Sequence, residues 1–230
     1  MTVLTTHVGS LPRPKNVSDL LFKRENNEVY EQEHFDEVIS NGVYEVVKKQ
    51  IDIGIDIISD GEMSKISYAT YVKDRYNGFA GDSERNPPLD LEKFPNYMKK
   101  IADSGGTPTY SRPCCVSEIT SKHNNDLSND INNLLSASKK FEHKNIFMNS
   151  ASPGVISLFL SNSYYSSRNE YLDAISNAMK DEYEEIVNSG IKLQIDCPDL
   201  ALSRHMTFKR ESDEDFIKIA YQNMEILNHS

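Results

Sequence analysis

The stretch Lys192-Leu193-Gln194-Ile195-Asp196-Cys197-Pro198-Asp199-Leu200 decides the fold class. Leu193 and Ile195 alternate with Lys192 and Gln194 in the two-residue period of a half-buried strand. Pro198 has no N–H to give to a ladder, so the strand stops there and leaves Asp196 and Asp199 at its carboxyl end. Ahead of it, residues 173–188 read as a helix and Ser189-Gly190 as the turn that closes it. Helix, glycine turn, strand and then acids is the order found at the ligand-binding rim of β/α proteins.

The same layout recurs upstream. Residues 3–8 predict a strand ending at Gly9-Ser10, after which Leu11-Pro12-Arg13-Pro14 breaks regular structure. Ser18 is placed to cap a short helix over 19–23. Phe35, Val38, Ile39, Val43, Val46, Val47 and Ile51 fall at helical spacing over 33–53, with Gly54 as the closing residue. Residues 55–59 predict the second strand, ending at Asp60-Gly61-Glu62. A third is expected over 112–119, although Pro113 disturbs its start. Residues 126–140 predict an amphipathic helix, 145–149 a fourth strand ending at Ser150-Ala151-Ser152-Pro153-Gly154, and 214–227 a last helix. Residues 63–110 interrupt the pattern as an inserted irregular segment, and Tyr68, Tyr71 and Tyr76 suit an ordered cover. Strands alternating with helices mean a parallel sheet. The expectation is one domain over 1–230, either an open doubly wound sheet or part of a barrel.

Composition narrows the function classes. The chain has 230 residues, 38% of them hydrophobic and 26% charged, with a net charge of −10. That charge disfavours nucleic acid and anionic membranes as partners. Three cysteines, two of them adjacent, make no disulfide framework, and the expected compartment is the cytoplasm. Small molecules are the expected partners.

Three motifs go further. Thr6-His7-Val8-Gly9-Ser10-Leu11-Pro12-Arg13-Pro14 resembles the opening of the cobalamin-independent methionine synthase catalytic-domain family. Gly54-Ile55-Asp56-Ile57-Ile58-Ser59-Asp60-Gly61-Glu62-Met63 resembles that family's second-strand motif. Gln194-Ile195-Asp196-Cys197-Pro198-Asp199-Leu200-Ala201, with Glu182 to Val187 before it, resembles a later one. The resemblance implies an α/β fold of TIM-barrel type, (β/α)8, of the methionine synthase and uroporphyrinogen decarboxylase kind, with about the first five β/α units present. It implies a methyltransferase that moves a methyl group from a methylated folate to a thiol such as homocysteine. Zinc is the cofactor implied for a complete family protein, because a metal turns a thiol into the nucleophilic thiolate. The family's His-x-Cys pair has no counterpart in this sequence, so no metal ligand is assigned here and the chain reads as a truncated barrel. Open sheet edges on such a barrel predict self-association. The alternatives are a related barrel acting on another thiol or a tetrapyrrole, and a fragment that only binds a small amino acid.

By the same resemblance, Gly9, Ser10, Glu62 and Asp196 hold the amino acid. Glu62 and Asp196 would face its ammonium group, and Gly9 and Ser10 its carboxylate. Asp199 joins this substrate-binding set, with capping of the following turn as the other reading. His7, Arg13 and His205 form a second line, each with an ordinary structural alternative. Asp60 reads as a loop-holding residue and Cys197 as a small core residue rather than a nucleophile. Ser10, Glu62 and Asp196 are expected to converge on one rim.

Overall fold

The strand Lys192–Asp196 forms as its alternation predicts, and it pairs with the strand Phe147–Ala151. The computed structural model describes residues 3–83, 89–103 and 112–230. These divide into two compact units, each made of three separate stretches of chain.

The first unit comprises Met1–Tyr71, Lys122–Ser150 and Asp181–Ile195. Backbone bonds run across it from one extended stretch to the next. The Ile57 N–H donates to Thr5 O (3.1 Å), Ile58 N–H to Asn145 O (3.1 Å), Phe147 N–H to Ile58 O (2.9 Å), and Lys192 N–H to Ile146 O (3.2 Å). Ile58 and Ile146 form a parallel bridge. The helix Gln32–Asp52 packs on the helix Asp126–Lys140, and the helix Lys15–Glu25 packs on the first of these. The shared core includes Val47, Ile58, Met63, Leu134 and Ile186. The two long helices form where the apolar spacing predicts. The first helix is longer than its expected 19–23 and starts directly after Pro14, burying Val17, Leu20 and Leu21 along one face. Pro14, at φ −58°, already holds a backbone angle compatible with helix entry. On the outer stretch, Val3, Leu4 and Val8 are exposed.

The second unit comprises Val72–Ser121, Ala151–Lys180 and Asp196–Ser230. Here the expectation for 112–119 is corrected. Cys114–Cys115 is a short strand, but it pairs antiparallel with Phe79–Ala80, in the register Phe79 to Cys115 and Ala80 to Cys114. It therefore builds a hairpin-like pair with the insertion and adds no unit to the parallel series. Pro113, just ahead of the pair, keeps the regular stretch short. The insertion is also less irregular than expected: it carries the short helices Val72–Arg75, Leu89–Glu92 and Pro95–Asp103. Its stretches 84–88 and 104–110 lie outside the described residues. The helix Pro153–Phe159 starts at Ser152, whose hydroxyl accepts from Val155 N–H (3.1 Å), with Pro at the first helical position. It packs on the turn Pro198–Leu200 and on the helix Asp213–His229. That last helix is capped by Ser212 and carries Asp213, Glu214 and Asp215 in its first turn, matching the positive end of the helix dipole. Among the described residues no helix is long and apolar enough to cross a membrane.

Leu134 is fully buried between the two packed helices. Leu134→Ala is expected to cost about 2–5 kcal/mol, read as a lower urea midpoint. A second expectation concerns acid. The Thr5 N–H (2.7 Å) and hydroxyl (2.8 Å) both donate to Asp56 Oδ2 and hold its carboxyl below the ordinary value. A depressed folded-state value contributes stability above the unfolded pKa and loses it as pH falls through the folded one. The protection of the Thr5 amide, its exchange rate relative to an unstructured amide at the same pH, should therefore hold at neutral pH and be lost as the pH drops below about 4; unchanged protection would show that Asp56 does not tether the segment.

Candidate functional site

In the first unit two loops meet just beyond the extended stretches, and backbone contacts lock them together. The Leu11 N–H donates to Gly61 O (3.1 Å). Arg13 reaches from the first loop into the second, with Nε (3.2 Å) and Nη2 (2.8 Å) on Glu62 O and Nη2 also on Lys65 O (2.6 Å). Burial pulls the Arg13 guanidinium below its ordinary value, while the charges of Glu62 and Asp60 push it back up. So Arg13, placed in the second line by sequence, grips the loop that carries Glu62.

Glu62 itself is 2% exposed and sits at φ +56°. Gly61 before it is at φ +65°. A long side chain in the left-handed region is uncommon, and surrounding structure has to impose it. The Arg13 clasp on its carbonyl does so, together with the Asp60 carboxylate, which accepts from Glu62 N–H (3.0 Å). Asp60 thus holds the loop through a local bond.

Gly9 is buried at φ +146°. A Cβ there would fall 2.4–2.6 Å from the amide atoms of Asn149, so only glycine fits. The Asn149 amide donates to Val8 O (2.8 Å) from that side. The Gly9 N–H is already committed to His7 Nδ1 (3.1 Å). Ser10 is exposed, and among the described residues neither its N–H nor its hydroxyl makes a hydrogen bond within the protein. The N–H and hydroxyl of Ser10 are therefore uncommitted within the protein.

Several residues in this unit escaped sequence reasoning. Gln50, 2% exposed, bonds His7 Nε2 through Oε1 (2.7 Å), accepts from Ser59 N–H (3.0 Å) and donates to Ser59 O (2.8 Å). Lys65, also 2% exposed, donates from Nζ to Asn149 O (2.6 Å) and lies 4.3 Å from the centre of the Tyr71 ring. Tyr71 in turn donates to Glu182 Oε1 (2.6 Å), which also accepts from Ser150 Oγ (2.7 Å). Glu182 was quoted only as part of a motif. A charged residue at an apolar helical position, three after Met179 and four before Ile186, was the available signal.

Asp196 and Asp199 belong to the second unit. Asp196 ends its strand, and its carbonyl accepts from Ser152 N–H (3.1 Å). Asp199 is buried in the turn Pro198–Leu200, where Oδ1 accepts from Ser152 Oγ (2.8 Å) and Oδ2 from Asn223 Nδ2 (2.7 Å). His205 stands 3.9 Å from Asp90 Oδ1. Burial pushes the Cys197 thiol up, against a bond from Ser152, and the charges of Asp199 and Asp196 add to the rise. That keeps it protonated at neutral pH, as a core cysteine would be. Among the described residues no group of His, Cys, Asp or Glu side chains is placed to hold a metal ion. The zinc implied by resemblance does not fit a site made by these residues.

Comparison with known proteins gives the context. Residues 3–86 match the family described as cobalamin-independent synthase, catalytic domain. The methionine synthase of Sulfolobus acidocaldarius is 27% identical over 201 residues, which cover 86% of this chain and 52% of that protein. A 5-methyltetrahydropteroyltriglutamate–homocysteine methyltransferase from Bifidobacterium longum is 33% identical over 75 residues, 33% of this chain and 10% of that one. Among solved structures, a B12-independent methionine synthase from Shewanella, in complex with selenomethionine, superposes with a TM-score of 0.61 at 19% identity. It is matched over 85% of this chain and 52% of its own. A vitamin-B12-independent methionine synthase from Listeria monocytogenes gives 0.62 at 16% identity, over 98% of this chain and 63% of its own. The chain spans about half the length of the methionine synthases it matches.

Gly9→Ala is expected to destabilise the protein by about 1–3 kcal/mol, through overpacking against Asn149 and backbone strain. Chemical denaturation checks it, and a neutral result would mean that Asn149 moves aside without cost.

Proposed function

We propose that this chain, a relative of the cobalamin-independent methionine synthases, provides the amino-acid grip of a methyltransferase that carries a methyl group from a methylated folate to a thiol such as homocysteine. The observation that carries the reading is Glu62: a buried carboxylate in a left-handed backbone conformation, clasped by Arg13, within the loop that resembles the family's second-strand motif. A fixed carboxylate shielded from water makes a strong charge-assisted bond to an ammonium group. Asp196, at the carboxyl end of its strand, is assigned an ammonium-binding role by the same resemblance. Ser10, with its uncommitted N–H and hydroxyl, is assigned the substrate carboxylate. Gly9 keeps that loop in place through its fit against Asn149. The selenomethionine complex of the Shewanella relative supports an amino acid as the occupant.

In this reading the chain's own residues bind and orient the acceptor amino acid. Zinc, in a complete family protein, supplies the thiolate; no part of the grip depends on it, and none of the described residues is assigned to it. Cys115 and Cys197, both pushed up by burial, take no part in activating the acceptor.

Titration calorimetry with homocysteine tests the reading. Binding is expected without added zinc, and Glu62→Gln and Asp196→Asn should each weaken it by roughly ten- to a hundredfold, the worth of a hydrogen bond between charged groups. Homocysteine that binds both variants as well as the original chain would overturn the assignment.

A further inference from the structure

We propose that a cavity of about 250 Å³ in the second unit is a binding site for the carboxylate of a small organic acid, anchored by Arg168. Leu158, Tyr171 and Phe208 give it an apolar wall, and Arg168, Asp199 and Asn223 a polar one. Ser10, Glu62 and Asp196 are not among the residues lining it, and the proposal does not rest on the role assigned to them.

Arg168 is the first residue of the helix Arg168–Asn188. A cation is disfavoured at that end of a helix, so the helix gains nothing from having it there. The guanidinium is half-buried and lies 5.7 Å from the centre of the Phe208 ring. Its Nη1 donates to Gln222 Oε1 and its Nη2 to Asn223 Oδ1. Both partners are neutral carbonyls. Among the described residues no carboxylate lies within ion-pairing distance of it. Of the five N–H groups of a guanidinium, two are engaged and the others are left for a ligand.

The support behind Arg168 is rigid. Asn223, 4% exposed, gives its amide hydrogen to Asp199 Oδ2, which can only accept. That bond turns the Asn223 oxygen toward Arg168. Asp199 is held on its other oxygen by Ser152 and packs so closely on Gly154 that a Cβ there would fall 2.1 Å from Oδ2. Asp199 is therefore a positioning residue that aims the guanidinium through Asn223. Burial lowers the ease of keeping Arg168 charged, and Asp199, at longer range, restores it. A preoriented cation with open donors beside an apolar wall selects a carboxylate on a short hydrocarbon body.

The test uses butanoate as the probe and butanamide as its neutral counterpart, titrated into the whole chain and followed by calorimetry. Butanoate should bind, and butanamide should bind at least about tenfold more weakly. Arg168→Gln should weaken butanoate binding by roughly ten- to a hundredfold. Gln222→Glu places a carboxylate against Nη1 and supplies the counter-ion from within the protein. It should abolish butanoate binding, so the proposal stays testable if Arg168→Gln fails to fold. No butanoate binding to the original chain, equal binding of acid and amide, or undiminished binding by either variant would overturn the proposal. Homocysteine carries a carboxylate too, so it is titrated into Gln222→Glu, in which the Arg168 site is closed. Binding there reports on the other grip alone, so failure of one reading is distinguishable from failure of the other.

Discussion

The side-chain amide of Gln50 is the constraint on which the first unit's loops depend. It projects from the helix Gln32–Asp52 and is almost fully buried. Its oxygen takes the Ser59 N–H and meets His7 Nε2, while its nitrogen donates to Ser59 O and to Val46 O (3.0 Å). Because Gly9 N–H donates to His7 Nδ1, that nitrogen is the acceptor and the ring proton sits on Nε2, where it donates to Gln50. Every polar group in the chain of contacts is then satisfied. An acid in place of Gln50 would have no hydrogen for Ser59 O, and leaving a buried carbonyl unpaired costs about 1–3 kcal/mol. One amide thus sets the residues just before Gly9-Ser10 and just before Asp60-Gly61-Glu62 against the same helix. The loops that bind backbone to backbone at Leu11 and Gly61 inherit their positions from it.

Around those loops the unit buries more charge than stability alone would favour. Glu62, Lys65 and Glu182 are each about 2% exposed or less, and Arg13 is partly buried beside them. Burying an ionised group is costly unless bonds compensate it, and a core of apolar residues would hold the same fold more simply. The compensation is specific: Lys65 on a backbone carbonyl and an aromatic face, Glu182 on two hydroxyls, Arg13 on two carbonyls. Such a set places charges at defined points of the fold. In the amino-acid reading proposed above, the buried Glu62 carboxylate is the member of this set assigned to the ammonium group.

Much of the architecture was legible because it rests on local periodicity. The helices Gln32–Asp52, Asp126–Lys140 and Asp213–His229 fall within a few residues of the apolar spacing that announced them. The strand before Asp196 followed from alternation and a proline. What was not legible depends on pairing across the chain. Nothing local to Cys114-Cys115 says that its partner is Phe79–Ala80 and not a parallel strand. Asp199 meets Ser152 and Asn223 across 47 and 24 residues, and Gln50 reads as one more polar position on an amphipathic helix. At the candidate site, Glu62 and Gly9 were visible through their motif. The parts that hold them in place, Gln50, Asn149 and the Arg13 clasp, are non-local and carried no signal of their own.

In the methyl-transfer reading, the cysteines separate recognition of the acceptor from activation of its thiol. A thiol that ligates a metal or acts as a nucleophile sits where its anion is stabilised, and its pKa falls. Here burial moves Cys115 and Cys197 the other way, and for Cys197 the neighbouring Asp199 and Asp196 add to the rise. The acids at the end of this strand thus make it unsuitable for a thiolate. In the reading proposed above, gripping an amino acid by its charged ends is the task of fixed carboxylates and donors. Activating its sulfur needs a cation. Arg13 and Lys65, the cationic side chains described at the loops around Glu62, are turned onto backbone carbonyls. In the methyl-transfer reading these residues can decide which amino acid enters and how it lies, while the chemistry at sulfur requires a positive centre that they do not supply.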